Sequence, residues 1–324
     1  MENTNSHVVR PASNERIFYS VKILIIKLGA TGDVVRTTPL LSRLNGHTTW
    51  LTEAKNTVLL EGLKGNLRCA SWEERSRVLD TQYDLVINLE DTLEVAQFLK
   101  AVRCSERFGA YVDSKKSLRY TENSRRWFDL SLISTYGKQK ADKLKFQNRQ
   151  TYQDLIFDGL GFGFAGETYL LPEPIETGLS GDVAIGADAG PVWPMKKWAY
   201  YAELKQRLED QGLTVNVLPG RSLLLEHLSD VRNHRCLVGG DSLPMHFALG
   251  TGTPCISIFT CTSPWEIYDY GIQKKIVSPL LQEFFYKRGY DKRATTAISV
   301  DEVLSAVMTQ LEAAVPVGNR IPGK

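Results

Sequence analysis

An acidic residue follows two glycines near the start of the chain. The segment Gly29-Ala-Thr-Gly32 comes directly before Asp33. The two glycines allow the backbone to approach a bound group closely. A carboxylate in this place would repel phosphate, so the turn does not suit a phosphate cradle. The side chain of Asp33 instead suits a base that takes a proton from a hydroxyl group.

A second group of polar residues follows the glycine pair Gly239-Gly240. Asp241 or Ser242 is predicted to cap a helix whose first turn contains a proline. Free N–H groups at the start of a helix favour an anion, and a diphosphate is the usual one. An ordinary capped helix explains the same residues, and Met245 and His246 by themselves are more often packing residues than ligands.

Two lysines stand in the predicted strand-to-helix loop from Gly186 to Trp198. Lys196 and Lys197 precede a helix that is expected to line the same edge of the sheet. A lysine in this place can neutralise a phosphate as a mobile point charge. One of the two is expected to be an ordinary surface residue.

The elements that must position these residues alternate between strands and helices. The run that begins at Val21 is apolar and β-branched, which is typical of a buried parallel strand, and residues 83–89 form another such run. After the proline-containing linker at residues 171–174, the alternation restarts at residue 183. This pattern predicts an α/β protein with two doubly wound parallel-sheet halves that face each other across a cleft.

The chain is expected to divide into four parts: a disordered tail at 1–19, an N-terminal domain at 20–172, a C-terminal domain at 180–299, and a C-terminal helix and tail at 300–324. Within the first domain, a helix with apolar residues from Val34 to Leu44 should follow the first strand. Residues 113–145 are basic and rich in serine, and we expect a long irregular loop there.

Composition restricts the class of protein. The 324 residues are 43% hydrophobic with a net charge of +2, which is ordinary for a soluble enzyme of two domains. No apolar run approaches the roughly 18 residues that a membrane span needs, and the N-terminus lacks a signal-peptide pattern. The five cysteines show no paired spacing, so we expect reduced thiols in a cytoplasmic protein and no metal site.

Positive charge is concentrated between residues 100 and 150. This segment has thirteen lysines and arginines against five acidic residues, a net charge of +8. It is either a solvated face or a patch that attracts a phosphorylated glycan, an anionic lipid or a nucleic acid. Aromatic residues such as Trp127 are interspersed in it, as they are in nucleic-acid and sugar binders. The two interpretations are weighed about equally.

The motifs occur in an order that resembles glycosyltransferase family 9, the bacterial heptosyltransferases. Ile26 to Pro39 is similar to the opening motif of that family, 186–198 to its donor loop, and 241–246 to its Asp-Ser/Thr-x-x-Met-His signature. Residues 263–271 resemble the segment after the next strand. The resemblance extends from about residue 21 to residue 314 and implies the GT-B fold, in which two Rossmann-like domains face each other.

The family implies an inverting transfer from a nucleotide-diphosphate sugar, usually ADP-heptose, without a catalytic metal or another cofactor. By this resemblance Asp33 is the general base, Lys196 contacts the donor phosphate, and the other donor-binding residues are Asp241, Ser242, Met245 and His246. The N-terminal domain would bind the acceptor, and the residues expected on its side are Lys27, Thr31, Gly32, Lys115, Lys116 and Arg119. The acceptor would be an anionic glycan or a lipid-linked one such as lipopolysaccharide core, met at the cytoplasmic face of the inner membrane, and nucleic acid is not expected as a partner.

The chain departs from the family in three places. Some members carry a cysteine-rich finger, but residues 284–291 contain no cysteine and Ala199 replaces a frequent proline. The region from Leu218 to Ser222 is short and shows no acidic residue for the nucleotide ribose. An alternative is therefore a catalytically idle GT-B protein that binds a nucleotide sugar or an acidic glycan. An epimerase is less well supported, because its further acid and base residues cannot be placed.

Overall fold

The computed structural model describes residues 21–129 and 137–313, and the side chains of residues 128 and 129 are not included. The tail predicted at 1–19 and the end of the chain after residue 313 lie outside the described residues. The division into domains at the predicted boundaries stays a prediction.

The first half of the chain forms a sheet of six described strands. They are β1 Val21–Ile26, β2 Gly46–Thr52, β3 Leu67–Ser71, β4 Gln82–Asn88, β5 Arg103–Val112 and β6 Leu118–Tyr120. The order across the sheet is β3-β2-β1-β4-β5-β6, and every pairing is parallel except that of β5 with β6. The last four residues of β1 are fully buried, because β1 lies in the middle of the sheet.

The helices of this half are short. They are α1 Thr31–Thr37, α2 Leu93–Phe98, α3 Arg125–Asp129, α4 Lys138–Gln147 and α5 Tyr152–Gly159. Helix α1 ends earlier than the predicted Leu44, and a 3-10 helix continues it over Thr38–Ser42. Pro39 explains this change, since proline has no N–H group and its ring clashes with the carbonyl four residues earlier.

The second half forms a sheet of five described strands that are all parallel. They are β7 Gly181–Gly186, β8 Val215–Val217, β9 His234–Gly240, β10 Cys255–Phe259 and β11 Gln273–Val277, in the order β11-β10-β9-β7-β8. The helices are α6 Tyr201–Glu209, α7 Leu224–Arg232, α8 Leu243–Thr251, α9 Leu281–Phe284, α10 Lys292–Thr296 and α11 Val300–Ala313. Helices α6 and α11 pack on one face of this sheet, where the Trp198 indole is buried and donates a hydrogen bond to the carbonyl of Ile298.

The two strand orders place one ligand site in each half. In the first half β1 lies beside β4, and in the second half β7 lies beside β9. Each pair is the point where the strand order reverses, and a ligand of an open α/β sheet binds beyond the carboxyl ends of the strands at that point. The first order is that of a Rossmann sheet, whereas the second is the flavodoxin-like order.

The stretch predicted to be irregular, 113–145, contains regular structure. Strand β6, helix α3 and the first residues of α4 lie within it, so the prediction of one long loop is wrong for the described part of this stretch. Helix α4 was not predicted from the sequence, because Ala141 is its only buried residue and the helix therefore has no apolar stripe. Residues 130–136 of the stretch lie outside the described residues.

Helix α4 connects the two halves. The Phe146 ring at its end packs edge to face on Trp265 and on Phe285, with centroid distances of 5.5 and 5.1 Å. The Lys138 ammonium donates a hydrogen bond to the carbonyl of Tyr286. A helix from the first half therefore covers part of the cleft and is held by the second half. Within residues 21–129 and 137–313, each helix is too short or too polar to cross a membrane.

Candidate active site

The first half contributes three charged side chains beyond the ends of β1 and β4. Lys27 follows β1, Glu90 follows β4, and Asp33 lies in the first turn of α1. The Lys27 ammonium lies 2.8 Å from a Glu90 carboxylate oxygen and 3.9 Å from one of Asp33. The sequence analysis expected Asp33 and Lys27 in the cleft but did not identify Glu90.

The Asp33 carboxylate is held by cations. Its Oδ1 lies 2.9 Å from the guanidinium of Arg36, three residues later on the same helix. Burial alone would raise the pKa of the Asp33 carboxyl, but Arg36, Lys27 and then His246 together hold that pKa below its ordinary value. Burial alone would lower the pKa of the Lys27 ammonium, and the charges of Asp33 and Glu90 raise it instead. Asp33 is therefore ionised and Lys27 charged at neutral pH.

The second half contributes an ion pair where β9 ends. The Lys196 ammonium lies 3.0 Å from an oxygen of the Asp241 carboxylate and also donates to the Asp241 carbonyl at 2.8 Å. Burial acts to raise the pKa of the Asp241 carboxyl, but Lys196 and His246 outweigh it and lower that pKa strongly. Lys197 is the exposed lysine of the two and lies 3.3 Å from Asp188.

Helix α8 begins without a capping side chain. Ser242 occupies the N-cap position, but its side chain makes no cap hydrogen bond and its hydroxyl points to the Gly240 carbonyl at 3.4 Å. The prediction that Asp241 or Ser242 is the N-cap residue is therefore confirmed for the position of Ser242, although the side chain does not make the capping hydrogen bond. Pro244 has no N–H group, and the N–H groups of Met245 and His246 donate to the Ser242 carbonyl, so this end offers an anionic group the positive end of the helix dipole rather than a row of free N–H groups.

Met245 and His246 lie on different faces of α8. Met245 is 1% exposed, packs in the hydrophobic core and does not line either cavity described below, in contrast to the prediction that it binds donor. The reason is helical spacing, since residues 242, 243 and 246 share one face of the helix and residue 245 points away from it. His246 does line the cleft.

The two halves touch where His246 meets Gly32. A Cβ atom built on Gly32 would lie 2.7 Å from the imidazole Cδ2 of His246, so only glycine permits this approach. Burial, followed by the charge on Arg36, lowers the pKa of His246 to about 4. The imidazole is therefore neutral at pH 7 and can offer one N–H group but no charge.

Two cavities adjoin Asp33. The larger has a volume of about 860 Å³ and lies between the halves, where Thr31, Gly32, Lys196, Asp241, Ser242 and His246 line it. The smaller, of about 200 Å³, lies behind Asp33 in the first half and is lined in part by Lys27, Glu90 and Trp127. Four residues line both cavities: Asp33, Arg36, Lys145 and Glu266. Asp33 therefore stands where the two cavities meet.

Besides Glu90, the sequence analysis did not identify four residues of this site: Arg36, Lys145, Glu266 and Ser263. Arg36 could have been found, because a basic residue three positions after Asp33 faces the same side of a helix. Lys145 and Glu266 are brought together only by the fold, with 3.3 Å between ammonium and carboxylate. Ser263 also lines the larger cavity, and its buried hydroxyl has no hydrogen-bond partner within the described part of the chain.

The predicted acceptor residues separate into two groups. Thr31 and Gly32 line the larger cavity and Lys27 the smaller one. Lys115, Lys116 and Arg119 lie at the hairpin of β5 and β6, where the Arg119 guanidinium lies 2.9 Å from Asp113, and none of the three lines either cavity. The fold does not bring these three side chains to Asp33. Among the residues that the structure describes, no group of three or more His, Cys, Asp and Glu side chains is arranged to hold a metal ion.

Comparisons with known proteins identify the fold. No protein-family model and no curated protein matches the chain. A solved glycosyl transferase family 9 structure from Veillonella parvula DSM 2008 is similar, with a TM-score of 0.64 and 15% identity over 91% of this chain and 98% of that chain. The E. coli heptosyltransferase WaaC with ADP has a TM-score of 0.58 and 14% identity over 89% and 99% of the two chains.

A third similar structure is the E. coli ADP-heptose lps heptosyltransferase II, with a TM-score of 0.58 and 16% identity over 90% of this chain and 99% of that chain. These structural neighbours are glycosyltransferases, and the chain shares their fold over nearly its whole length. The predicted α/β class with two mostly parallel sheets and the predicted resemblance in fold are confirmed.

Proposed function

We propose that this protein is an inverting, metal-independent glycosyltransferase that moves a heptose or a related sugar from a nucleotide-diphosphate sugar to a hydroxyl group. The observation that carries the proposal is the contact of Gly32 with His246. This contact puts the Asp33 carboxylate of one half beside the start of α8 in the other half. An inverting displacement needs such an arrangement, with a base for the acceptor and an electropositive site for the leaving group.

The larger cavity suits the donor. Its lining carries five cations against four carboxylates, and the uncapped start of α8 adds the positive end of a helix dipole. These groups would stabilise the negative charge that develops on the departing diphosphate. Lys196 would exchange Asp241 for a donor phosphate. ADP-heptose is the proposed donor, and the ADP and ADP-heptose named with the neighbouring E. coli structures support this choice.

Asp33 is the proposed base. The acceptor oxygen forms its bond to the anomeric carbon as the bond from that carbon to the diphosphate breaks, and the electron pair leaves with the diphosphate. The acceptor proton passes to the Asp33 carboxylate. Its low pKa keeps Asp33 ionised, so the group is ready to accept the proton late in the reaction, when the acceptor oxygen has become acidic.

The acceptor is proposed to be an anionic glycan or a lipid-linked glycan such as lipopolysaccharide core, met at the cytoplasmic face of the inner membrane. The net charge of +8 between residues 100 and 150 supports an anionic partner. Helix α4 of this segment contributes Lys138 and Lys145 to the cleft. Lys115, Lys116 and Arg119 would contact the acceptor at a distance from the reacting hydroxyl.

A transfer assay with ADP-heptose tests the proposal. Purified protein should release ADP from ADP-heptose in the presence of a heptose- or Kdo-containing acceptor, and EDTA should not reduce the rate. Asp33→Asn should lower the rate about 100-fold or more and leave ADP affinity, measured by calorimetry, within about threefold. Asp80→Asn, which changes an exposed carboxylate, is the matched control.

The same assays distinguish an enzyme from a catalytically idle binding protein. ADP binding without turnover of any nucleotide sugar would favour a binding protein over an enzyme. Undiminished transfer by Asp33→Asn would remove Asp33 as the base.

A further inference from the structure

The smaller cavity behind Asp33 has an unusual balance of charge. Its lining carries four carboxylates, those of Asp33, Glu90, Asp91 and Glu266, and three cations. The larger cavity has the opposite excess. The linings on the two sides of Asp33 therefore differ in the sign of their net charge.

Each cation of the smaller cavity already has a carboxylate partner. The Lys27 ammonium lies 2.8 Å from Glu90, and the Arg36 guanidinium lies 2.9 Å from Asp33. The Lys145 ammonium lies 3.3 Å from Glu266. The charges of these three pairs cancel, so the pairs leave no net positive charge to attract a carboxylate or phosphate.

The carboxylate of Asp91 is exposed at this cavity and has no ion-pair partner among the described residues. The excess of negative charge in the described lining is therefore the charge of Asp91.

The same lining offers hydrogen-bond acceptors and ring surfaces. The buried Oε1 atom of Glu266 lies 3.3 Å from the Lys145 ammonium but accepts no hydrogen bond within the described residues, and Glu266 as a whole is 7% exposed. Trp127 provides the ring surface, because the Tyr152 ring that it meets edge to face at a centroid distance of 4.3 Å is 1% exposed and lies beneath the Arg36 guanidinium. Carboxylates accept strong hydrogen bonds from hydroxyl groups, and aromatic rings pack against apolar C–H surfaces. This combination fits a polyhydroxylated ring.

We propose that the smaller cavity binds an uncharged monosaccharide ring of the acceptor, with the reacting hydroxyl beside Asp33 and other hydroxyls on Asp91 and Glu266. The volume of about 200 Å³ is of the order of one pyranose ring. Phosphate or carboxylate groups of a larger acceptor lie outside this cavity. The inference rests on the proposed function and specifies which part of the acceptor is neutral.

A matched pair of ligands tests the charge preference. Methyl β-D-glucopyranoside and methyl β-D-glucuronide have the same ring and differ only in a hydroxymethyl or carboxylate group. Their binding to the full chain is measured by saturation-transfer NMR in the presence of saturating ADP. We expect the neutral glycoside to bind about tenfold more tightly than the glucuronide, because like charges repel in the cavity.

Substitutions at Asp91 test whether its carboxylate causes the preference for the neutral glycoside. Asp91→Lys should reverse the order of the two ligands, and Asp91→Asn should narrow the difference to about threefold or less. Glu61→Gln removes an exposed carboxylate that lines neither cavity and should leave the tenfold preference unchanged. Because Asp91 is exposed, these variants should fold, and ADP binding checks that they do.

The results separate this inference from the proposed function. Tighter binding of the glucuronide, an unchanged order in Asp91→Lys, or failure of both glycosides to bind while ADP binds would overturn the neutral-ring proposal. Failure of ADP and ADP-heptose to bind the wild-type protein would count against the donor site and thus against the proposed function.

Discussion

The chemistry of Asp33 depends on the charges that surround it. Arg36 and Lys27 stabilise the carboxylate, and the neutral imidazole of His246 lies across the domain contact. Arg36 also stacks over the Tyr152 ring, 3.9 Å from its centroid, which fixes the position of the guanidinium. Asp33 is therefore ionised at neutral pH, as the proposed base must be, and is restrained by a cation whose position is fixed.

Replacing Arg36 by glutamine should change the pH dependence of transfer. Since the Arg36 charge lowers the pKa of Asp33, Arg36→Gln should raise that pKa and move the acid limb of the kcat/KM profile to higher pH by about one unit. The measurement is kcat/KM from about pH 2.5 to pH 9 in the wild type and the variant, because the pKa of Asp33 in the wild type lies below the ordinary value of 3.8. Arg43→Gln removes an arginine that pairs with Glu167 away from the cleft and should not move the limb. A limb at the same pH in Arg36→Gln would contradict the assignment of the limb to Asp33.

Sequence patterns predicted the residues that follow strands better than the residues that meet only when the two halves pack together. Asp33, Lys196 and Asp241 each follow a strand and a glycine-containing turn, so local spacing placed them at the edges of the sheets. Glu266 and Lys145 meet only after the halves come together, and no local pattern carries that information. Met245 was misplaced because its motif was transferred without regard to the face of the helix on which it lies.

At the scale of elements, the close approach of α1 and α8 assembles the site. Gly32 contributes no side chain, which allows the His246 ring to enter the space where a Cβ atom would stand. In an ordinary exposed helix, alanine in place of glycine stabilises by about 0.5–1 kcal/mol. Here the clash with a buried ring should outweigh that gain.

Gly32→Ala should therefore destabilise the protein by about 1–3 kcal/mol and weaken ADP binding, because α8 must move away from α1. Urea denaturation and calorimetry measure the two effects. Gly220→Ala is the control, since a Cβ atom at Gly220 would meet no atom within 4 Å. Equal stability of Gly32→Ala and the wild type would show that the two helices separate without cost.

The sequence predicted the central strands and missed most of those near the edges. Strands β1 and β4 are the apolar runs that were predicted to be buried, and β7 contains residue 183, where the alternation was predicted to restart. The edge strands β3 and β11 read LRCAS and QKKIV, and β2 and β5 also carry polar residues along their length. Because one side of such strands meets solvent or a helix end, their composition does not distinguish them from loops.

At the scale of the whole molecule, burying a neutral histidine between two halves links stability to pH. The folded pKa of His246 is about 4, below its ordinary value of 6.5. Between these values the unfolded chain binds a proton that the folded chain does not, so stability is lost as the pH falls from 6.5 towards 4. His227 and His234 also have lowered pKa values, chiefly through burial, and contribute in the same direction.

A comparison of variants isolates the part that is due to His246. Between pH 7 and pH 4.5, the loss of unfolding free energy should be smaller in His246→Gln than in the wild type by about 2 kcal/mol. Urea denaturation at the two pH values measures it. His47→Gln changes an exposed histidine and should lose as much stability as the wild type. Equal losses in all three proteins would mean that His246 is protonated in the folded state.

Helix α4 has a consequence for the speed of the proposed enzyme. One face of this ten-residue helix forms part of the wall of the larger cavity, and edge contacts between aromatic rings hold its end in place. In the proposed reaction, the nucleotide product in that cavity would lie behind this wall. If undocking of α4 limits the release of this nucleotide, the steady-state turnover rate would measure undocking and would fall in viscous solvent. The rate of a single turnover, which measures bond breaking, would not change.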